Sequence, residues 1–420
     1  MAWPAGLRAF RYHDFRLFWS GQLVSLVGTW MQSVGQAWVV LEVTGSPLKL
    51  GTITALQFGP MLFLSFLAGA LADRVRKRRL LLMTQSALML QAFALAALAW
   101  TGHIQYWHIA VLATVYGVAN TLDLPARQSF VVQIVGKNDL INAIALNSAV
   151  FNGARVVGPA VAGLLVARYG VAMAFLMNGL SFLGVIAALF AIHNEGEPRP
   201  RSGEGLGQEI LQGLRYAWAT PLIMLILAYM LVTSLFVVNF GVVVPLVARE
   251  VLHEGAHGFG LLMTSLGVGA VIGAGVLALT GRGRAPVWLL AGAAIVDAVG
   301  LALLGLVRRF GLACALLAVM GFAMIVFMAS SNTTLQLTVP DALRGRLMGL
   351  YAFVFVGMNP FGALFIGSVA ETWGVPAACL AGGGLGAACL LAITLLLGSR
   401  ASEPPPMTET SSGLVPPPRV

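Results

Sequence analysis

The sequence predicts an all-α integral membrane protein, with twelve transmembrane helices in two pseudo-symmetric bundles of six. Three observations lead there. Of 420 residues, 58% are hydrophobic and only 10% charged, whereas soluble domains carry about a quarter charged residues. Twelve mostly apolar runs approach the ~20 residues a helix needs to cross a bilayer core. Basic residues gather in every second gap between those runs. This composition excludes an ordinary soluble enzyme and excludes disorder over most of the length.

In order, the runs lie near 17–41, 50–72, 79–100, 106–126, 143–166, 171–192, 221–246, 258–280, 287–307, 311–335, 347–369 and 375–398. Residues 1–193 would form the first bundle and 219–398 the second. Between them, 194–218 reads as a polar linker whose GQEILQGLRYAW stretch suits an amphipathic helix on the membrane surface. Residues 399–420, with two triple-proline runs, read as a disordered tail. The 49 glycines suit helices that must approach closely in lipid.

The net charge of +9 could signal nucleic-acid binding. Here no nucleic-acid partner is expected, because the basic residues sit in loops between spanning runs. With the N-terminus in the cytoplasm, nineteen of the 25 Lys and Arg residues fall on the cytoplasmic side. The positive-inside rule selects that orientation, and an even number of spans returns the C-terminus to the same face. The chain therefore reads as a multi-pass monomer of a bacterial cytoplasmic membrane. Cys314, Cys379 and Cys389 lie within apolar runs, where cysteine behaves as a small hydrophobe. No metal-ligand spacing, cofactor motif or cleavable signal peptide is visible.

The two halves repeat at a shift of about 200 residues. RYGVAMAF at 168–175 aligns with TWGVPAAC at 372–379, a shift that also places Gly163 on Gly367. An even number of helices per half gives a parallel repeat about an axis along the membrane normal, with a substrate site between the halves.

The loop after the second run reads GALADRVRKRR. The basic residues alone mark a cytoplasmic loop. Asp73 argues for more, since a half-buried carboxylate needs a cation or a facing helix N-terminus. In this loop the chain resembles the major facilitator superfamily, whose signature is G-x-L-x-D-R-x-G-R-R/K. Gly69, Leu71, Asp73, Arg74 and Arg78 match, Lys77 fills an arginine position, and Arg76 replaces the glycine. The resemblance implies a cytoplasmic gate in which the aspartate holds the outward-facing state closed. Asp123 and Arg127, ending the fourth run, are expected to join that gate by bridging to the basic loop.

In the fifth run, ARVVGPAVAG resembles the superfamily's antiporter motif, with Gly158, Pro159 and Gly163 matching. Proline weakens the helix ladder and small residues allow close packing, so this is either a flexing point or a kinked packing helix. The wider stretch around residues 115–185 is similar to the exporter branch that includes the enterobactin exporter family.

Two charges lie at mid-span, Arg155 in the fifth run and Asp297 in the ninth. Each costs at least ~2.5 kcal/mol in hydrocarbon unless paired or hydrated. Arg155 is expected to line the substrate pathway. Asp297 is a proton or ion-pair candidate whose alternative is a structural brace. Glu42 is either a proton-accessible carboxylate or a solvated helix end. The superfamily resemblance implies a cavity lined by the first, fourth, seventh and tenth spans and their neighbours. Polar residues there are Gln22, Gln32, Gln36, Asn120, Asn239, Ser331, Asn332 and Gln336, joined by Asn147 and Asn152 on the fifth.

There is no phosphate-binding loop and no catalytic constellation at mid-span. The reading is a secondary transporter working by alternating access, exporting a small hydrophobic, drug-like or siderophore-like molecule against protons. Its rivals are an importer of the same fold and, from another class, an intramembrane enzyme or scaffold.

Overall fold

Lipid offers no hydrogen bonds, so a spanning backbone must satisfy its own, and helices do this within one segment. In a computed structural model, residues 4–198, 206–280 and 283–402 are described, and among them there is no strand. The linker positions 199–205 and the tail from 403 lie outside the described residues.

A short 3-10 helix (Ala5–Arg11) precedes α1, His13–Thr44, and α2, Pro47–Arg74. Their corner follows from local chemistry. Gly45 adopts φ 62°, a conformation that favours glycine. The Ser46 hydroxyl then accepts the Lys49 N–H at 3.2 Å, and Pro47 fills the first turn, where its missing N–H costs nothing. Next come α3 (Lys77–Trp100), α4 (Tyr106–Val135), α5 (Leu140–Tyr169) and α6 (Val171–Ala191). A short amphipathic helix, α7 (Leu206–Ala219), falls where the linker was expected to hold one. Beyond it lie α8 (Pro221–Val232), α9 (Phe240–Leu246), α10 (Ala256–Thr280), α11 (Val287–Leu304) and α12 (Phe310–Thr338). The last three are α13 (Asp341–Gly357), α14 (Asn359–Trp373) and α15 (Val375–Ser402).

Ten segments are long and apolar enough to cross a bilayer, or eleven when the two parts of α2 are joined across their 64° bend. The remaining expected run lies in α1, which has the length, 32 residues, but carries Gln22, Ser25, Thr29, Gln32, Ser33 and Gln36. Two expected runs are not straight. Residues 221–251 break between α8 and α9 around Val238 and Asn239, and 343–373 break between α13 and α14 at Met358.

The sequence repeat has a backbone counterpart. Gly170 and Gly374, aligned by the shift of 204, adopt φ 80°, ψ 171° and φ 83°, ψ 164°. Each sits between two packed helices. α1 packs on α5 and α6, α3 on α4 and α6, and α2 on α4. Further along the chain, α11 packs on α12 and α15, and α10 on α12. The two most extensive contacts between these groups are α5 with α10 and α2 with α14. Both depend on glycine. A Cβ on Gly260 would lie 2.6 Å from the Pro159 carbonyl and 2.7 Å from Gly163 Cα. One on Gly367 would lie 2.9 Å from the Pro47 carbonyl and 3.4 Å from Gly51 Cα. Such approaches replace apolar burial as the source of helix association in lipid.

The glycines make a clear prediction. Gly260→Leu should lower the melting temperature of the purified protein by several degrees, whereas Gly69→Ala, whose added methyl meets nothing within 4 Å, should leave it unchanged. Thermal unfolding followed by tryptophan fluorescence distinguishes the two.

Candidate functional site

The seam between the two helix groups carries the charge the sequence singled out. Arg155 lies on α5 one turn before Pro159. Its Nη2 reaches Met324 Sδ on α12 at 3.4 Å, and its guanidinium carbon lies 5.8 Å from the Trp30 ring centroid on α1. Phe151 meets the same Trp30 edge-to-face at 5.8 Å. The Nε of Arg155 is buried with no hydrogen-bond partner, and so is Oδ1 of Asp297 on α11. Each of these two residues is the charge that acts electrostatically on the other among the described residues, yet no ion pair within 4 Å joins them. An unpaired buried charge is expensive in a membrane and marks function by default.

The antiporter-like motif holds this arrangement. Gly158 lies against α1, 2.9 Å from a Cβ to the Val27 carbonyl, and Gly163 lies against Gly260 on α10. Pro159 is buried between them.

The expected cavity residues divide into two sets. Asn120, Asn147, Asn152 and Asn332 stay partly open and Gln336 is exposed. Asn152 donates to the Ser148 carbonyl at 2.8 Å, and Gln336 to Asn332 at 2.5 Å. The others are buried. Gln32 donates to Gln91 on α3 and accepts from Asn178 on α6, and Gln36 donates to Gln57 on α2. These are braces within one helix group, not open lining, because an amide in lipid is driven to find a partner on the next helix. Asn239 sits at the α8–α9 break and donates to the freed carbonyls of Ser234 and Leu235 at 3.3 and 3.2 Å. Its counterpart at the other break, Asn359, donates to the Val238 carbonyl at 3.4 Å, so the two interruptions face each other. Ser331 is buried with its hydroxyl unpartnered.

The expected bridge from Asp123 and Arg127 to the basic loop is absent among the described residues. Arg127 instead donates to the Asp123 carboxylate one turn away and to Gln22 on α1. Asp123 also accepts from Thr84 at 2.7 Å and Gln85 at 2.8 Å on α3. Four hydrogen bonds from three residues satisfy the buried carboxylate, so the cluster ties α1, α3 and α4 together. The basic loop is held elsewhere. Lys77, fully buried, donates to the Glu197 carbonyl at 2.5 Å, Arg78 to the Leu189 and Phe190 carbonyls, and Arg76 pairs with Glu195 at 2.5 Å. Arg74 is exposed. Asp73 is half-buried with no hydrogen bond or ion pair among the described residues, Leu71 is 40% exposed, and Gly69 faces open space. At the other end of the same helix, Ser46 and Gly51 press on α14. Helix α2 is thus engaged at its Ser46 end and free at its Asp73 end.

Sequence reasoning missed the contacts at that Ser46 end. Glu371, at the end of α14, accepts from the Ser46 hydroxyl at 2.7 Å and the Leu48 N–H at 3.1 Å. Arg249 donates to the Leu41 carbonyl near the end of α1. Nothing in a sequence pairs positions 325 residues apart. Glu42 is exposed and accepts from the Trp38 indole at 2.6 Å. The structure also gathers His13, Asp14 and His193, which no spacing suggested, with ligand atoms within 4.8 Å of one another. His193 is 88% exposed in its side chain, and Asp14 spends its other oxygen on the Asn194 N–H, an ordinary surface arrangement of histidines around a carboxylate.

Long apolar helices joined at a glycine-lined seam define a multi-pass membrane protein. The solved structures it resembles share that fold. A POT family transporter in complex with 5-aminolevulinic acid superposes with a TM-score of 0.76 at 9% identity, covering 93% of this chain and 97% of that one. The human organic anion transporter MFSD10 (TETRAN) superposes at 0.66 with 16% identity, covering 93% and 100%. Over residues 5–419 the chain matches the transmembrane secretion effector family, and it belongs to that family of the major facilitator superfamily. Among its relatives, the multidrug efflux pump Tap of Mycolicibacterium fortuitum is 26% identical, over 86% of this chain and 90% of that protein. The staphyloferrin A transporter of Staphylococcus aureus is 25% identical over the same shares. The enterobactin exporter EntS of Escherichia coli O157:H7 is 25% identical over 98% of this chain and 99% of its own length.

The Asp123 cluster yields a stability prediction. Asp123→Ala removes the acceptor of four donors and strands Arg127, a loss of about 3 kcal/mol for a broken buried pair. A clear fall in melting temperature is expected, with Asp123→Asn intermediate; equal stability of all three proteins would contradict the brace.

Proposed function

We propose that the protein is a secondary exporter working by alternating access, with twelve spans in two six-helix bundles and both termini in the cytoplasm. The carrying observation is Arg155, a cation held at the seam with its Nε unpaired and its head between Met324 and Trp30, on which Phe151 packs. Those neighbours offer an adaptable apolar wall, and the cation offers one anchor. Such a site suits a small amphipathic molecule with an apolar body and a negative or electron-rich group. Relatives that export a siderophore or pump drugs support that class.

Asp297 is the carboxylate we assign to the coupling proton. It is buried with its Oδ1 unpartnered, and among the described residues Arg155 is the charge that acts on it. When it is charged it attracts Arg155; when it binds a proton it frees Arg155 for the substrate. The open amides Asn147, Asn152, Asn332 and Gln336 supply neutral hydrogen-bonding groups along the pathway, which is assigned to the Asp73 side of the seam. With the basic loops in the cytoplasm, the seam is closed outside and open inside. The α8–α9 and α13–α14 breaks, joined through Asn359 and Ser234, are the places where the second bundle bends as it rocks.

The experiment is secretion by a deletion strain complemented with variants, followed by flux into inverted membrane vesicles. Arg155→Ala should reduce flux roughly tenfold, the value of a lost charged hydrogen bond. Asp297→Asn should keep downhill flux but lose its dependence on an imposed pH gradient. Flux that requires no gradient in the wild type, or Asp297→Asn protein that still pumps, would contradict the coupling. Proton-driven movement in the opposite direction would make the protein an importer.

A further inference from the structure

The corner between α1 and α2 presents two helix ends side by side. The carbonyls closing α1 carry partial negative charge, and the N–H groups opening α2 carry partial positive charge. The opposite helix group supplies one ion to each. Arg249 donates to the Leu41 carbonyl of α1, and Glu371 accepts from the Ser46 hydroxyl and the Leu48 N–H of α2. Sign and position both match: a cation at a helix C-terminus, an anion at a helix N-terminus. Arg249 and Glu371 lie on different segments, so the corner is gripped at two separate points.

We infer that Arg249 and Glu371 form a charge-matched latch that holds the outer side of the transporter shut. This rests on the transporter reading above and on its orientation. Helix α2 and the α13–α14 span run together, with the Ser46 end of α2 against the end of α14 and the Asp73 end toward the start of α13. In this structure the Glu371 end is engaged, and Asp73 at the far end has no partner. Rocking that closes the seam at the Asp73 end must draw Ser46 away from Glu371. The helix pair carries one carboxylate at each end, on opposite helices, and in this structure the one at the Ser46 end is engaged. Glu371 and Arg249 are positioning residues: they touch no substrate and set the balance of the two states.

The latch differs from packing in being electrostatic. The glycines at Gly51 and Gly367 permit contact in this state, but they have no charge to lose. Neutralising Glu371 should therefore change the state without loosening the fold. Near the same corner, Glu250 lies within electrostatic reach of both Arg249 and Glu371.

The test uses the full-length protein with its three cysteines replaced by alanine and spin labels on cysteines at positions 101 and 309, exposed loops on opposite sides of the seam. Double electron–electron resonance in lipid nanodiscs reads the distance between them. In the unsubstituted latch the short distance should dominate. Glu371→Gln and Arg249→Gln should each shift the long-to-short ratio by on the order of fivefold, the scale of one charged contact at a helix end. Asp73→Asn should shift it the other way, and the exposed-side control Glu254→Gln should leave it unchanged. Both variants must retain the wild-type melting temperature, which separates a lost latch from a damaged fold. Unchanged distances in folded Glu371→Gln and Arg249→Gln would overturn the latch. Shifted distances in a protein that exports nothing would keep the latch and remove the export reading.

Discussion

Because lipid surrounds these helices, apolar burial cannot press them together, and contact must come from close backbone approach and from hydrogen bonds. That constraint shapes the whole molecule. Glycine supplies the approach at the two seam contacts, where Gly260 meets Pro159 and Gly163, and Gly367 meets Pro47 and Gly51. Amides supply the bonds within the first helix group, through Gln32, Gln91 and Asn178. A polar atom left without a partner in such a structure is costly, and among the groups so left Arg155 and Asp297 stand out as the two that carry charge. Function is inferred from the exceptions to the rule that builds the fold.

The same constraint accounts for the division of labour among charges. Asp123 is buried and paired with half-buried Arg127, and together they stiffen one helix group. Half-buried Arg249 and exposed Glu371 pair across the seam with helix ends rather than with each other. Half-buried Arg155 and buried Asp297 are opposite in sign and unjoined. Stiffening, gating and transport call for different degrees of satisfaction, and the chain places each pair accordingly. A fully satisfied pair gains nothing by moving; a half-satisfied one has two places to be.

Much of this was legible in the residues. Run lengths located nearly all the helices, and the aligned glycines at 170 and 374 take up the same backbone conformation. Gly158, Pro159 and Gly163 marked a helix that lies at the seam. What was not legible depends on partners far apart in sequence. Gln22, Gln32 and Gln36 read as cavity lining because the superfamily resemblance lines the cavity with the first span, and only the positions of α2, α3, α4 and α6 show that the amides are already used. Asp123 was expected at the gate because it sits at a helix end near a basic loop, but Thr84 and Gln85 lie nearer. Asn239 looked like a ligand contact and instead repairs a broken helix. Glu371 drew no attention in the sequence, because only the fold sets Ser46 opposite it.

The central claim is that the seam around Arg155 is a water-accessible pathway that opens to one side at a time. It is tested most directly by replacing Asn152 on α5, one turn before Arg155, with cysteine in an otherwise cysteine-free protein and treating right-side-out and inverted vesicles with a membrane-impermeant thiol reagent. The account predicts fast labelling from the cytoplasmic side, slow labelling from outside, and a reversal of that ratio when Glu371→Gln is added. No labelling from either side, or equal labelling from both at once, would contradict it.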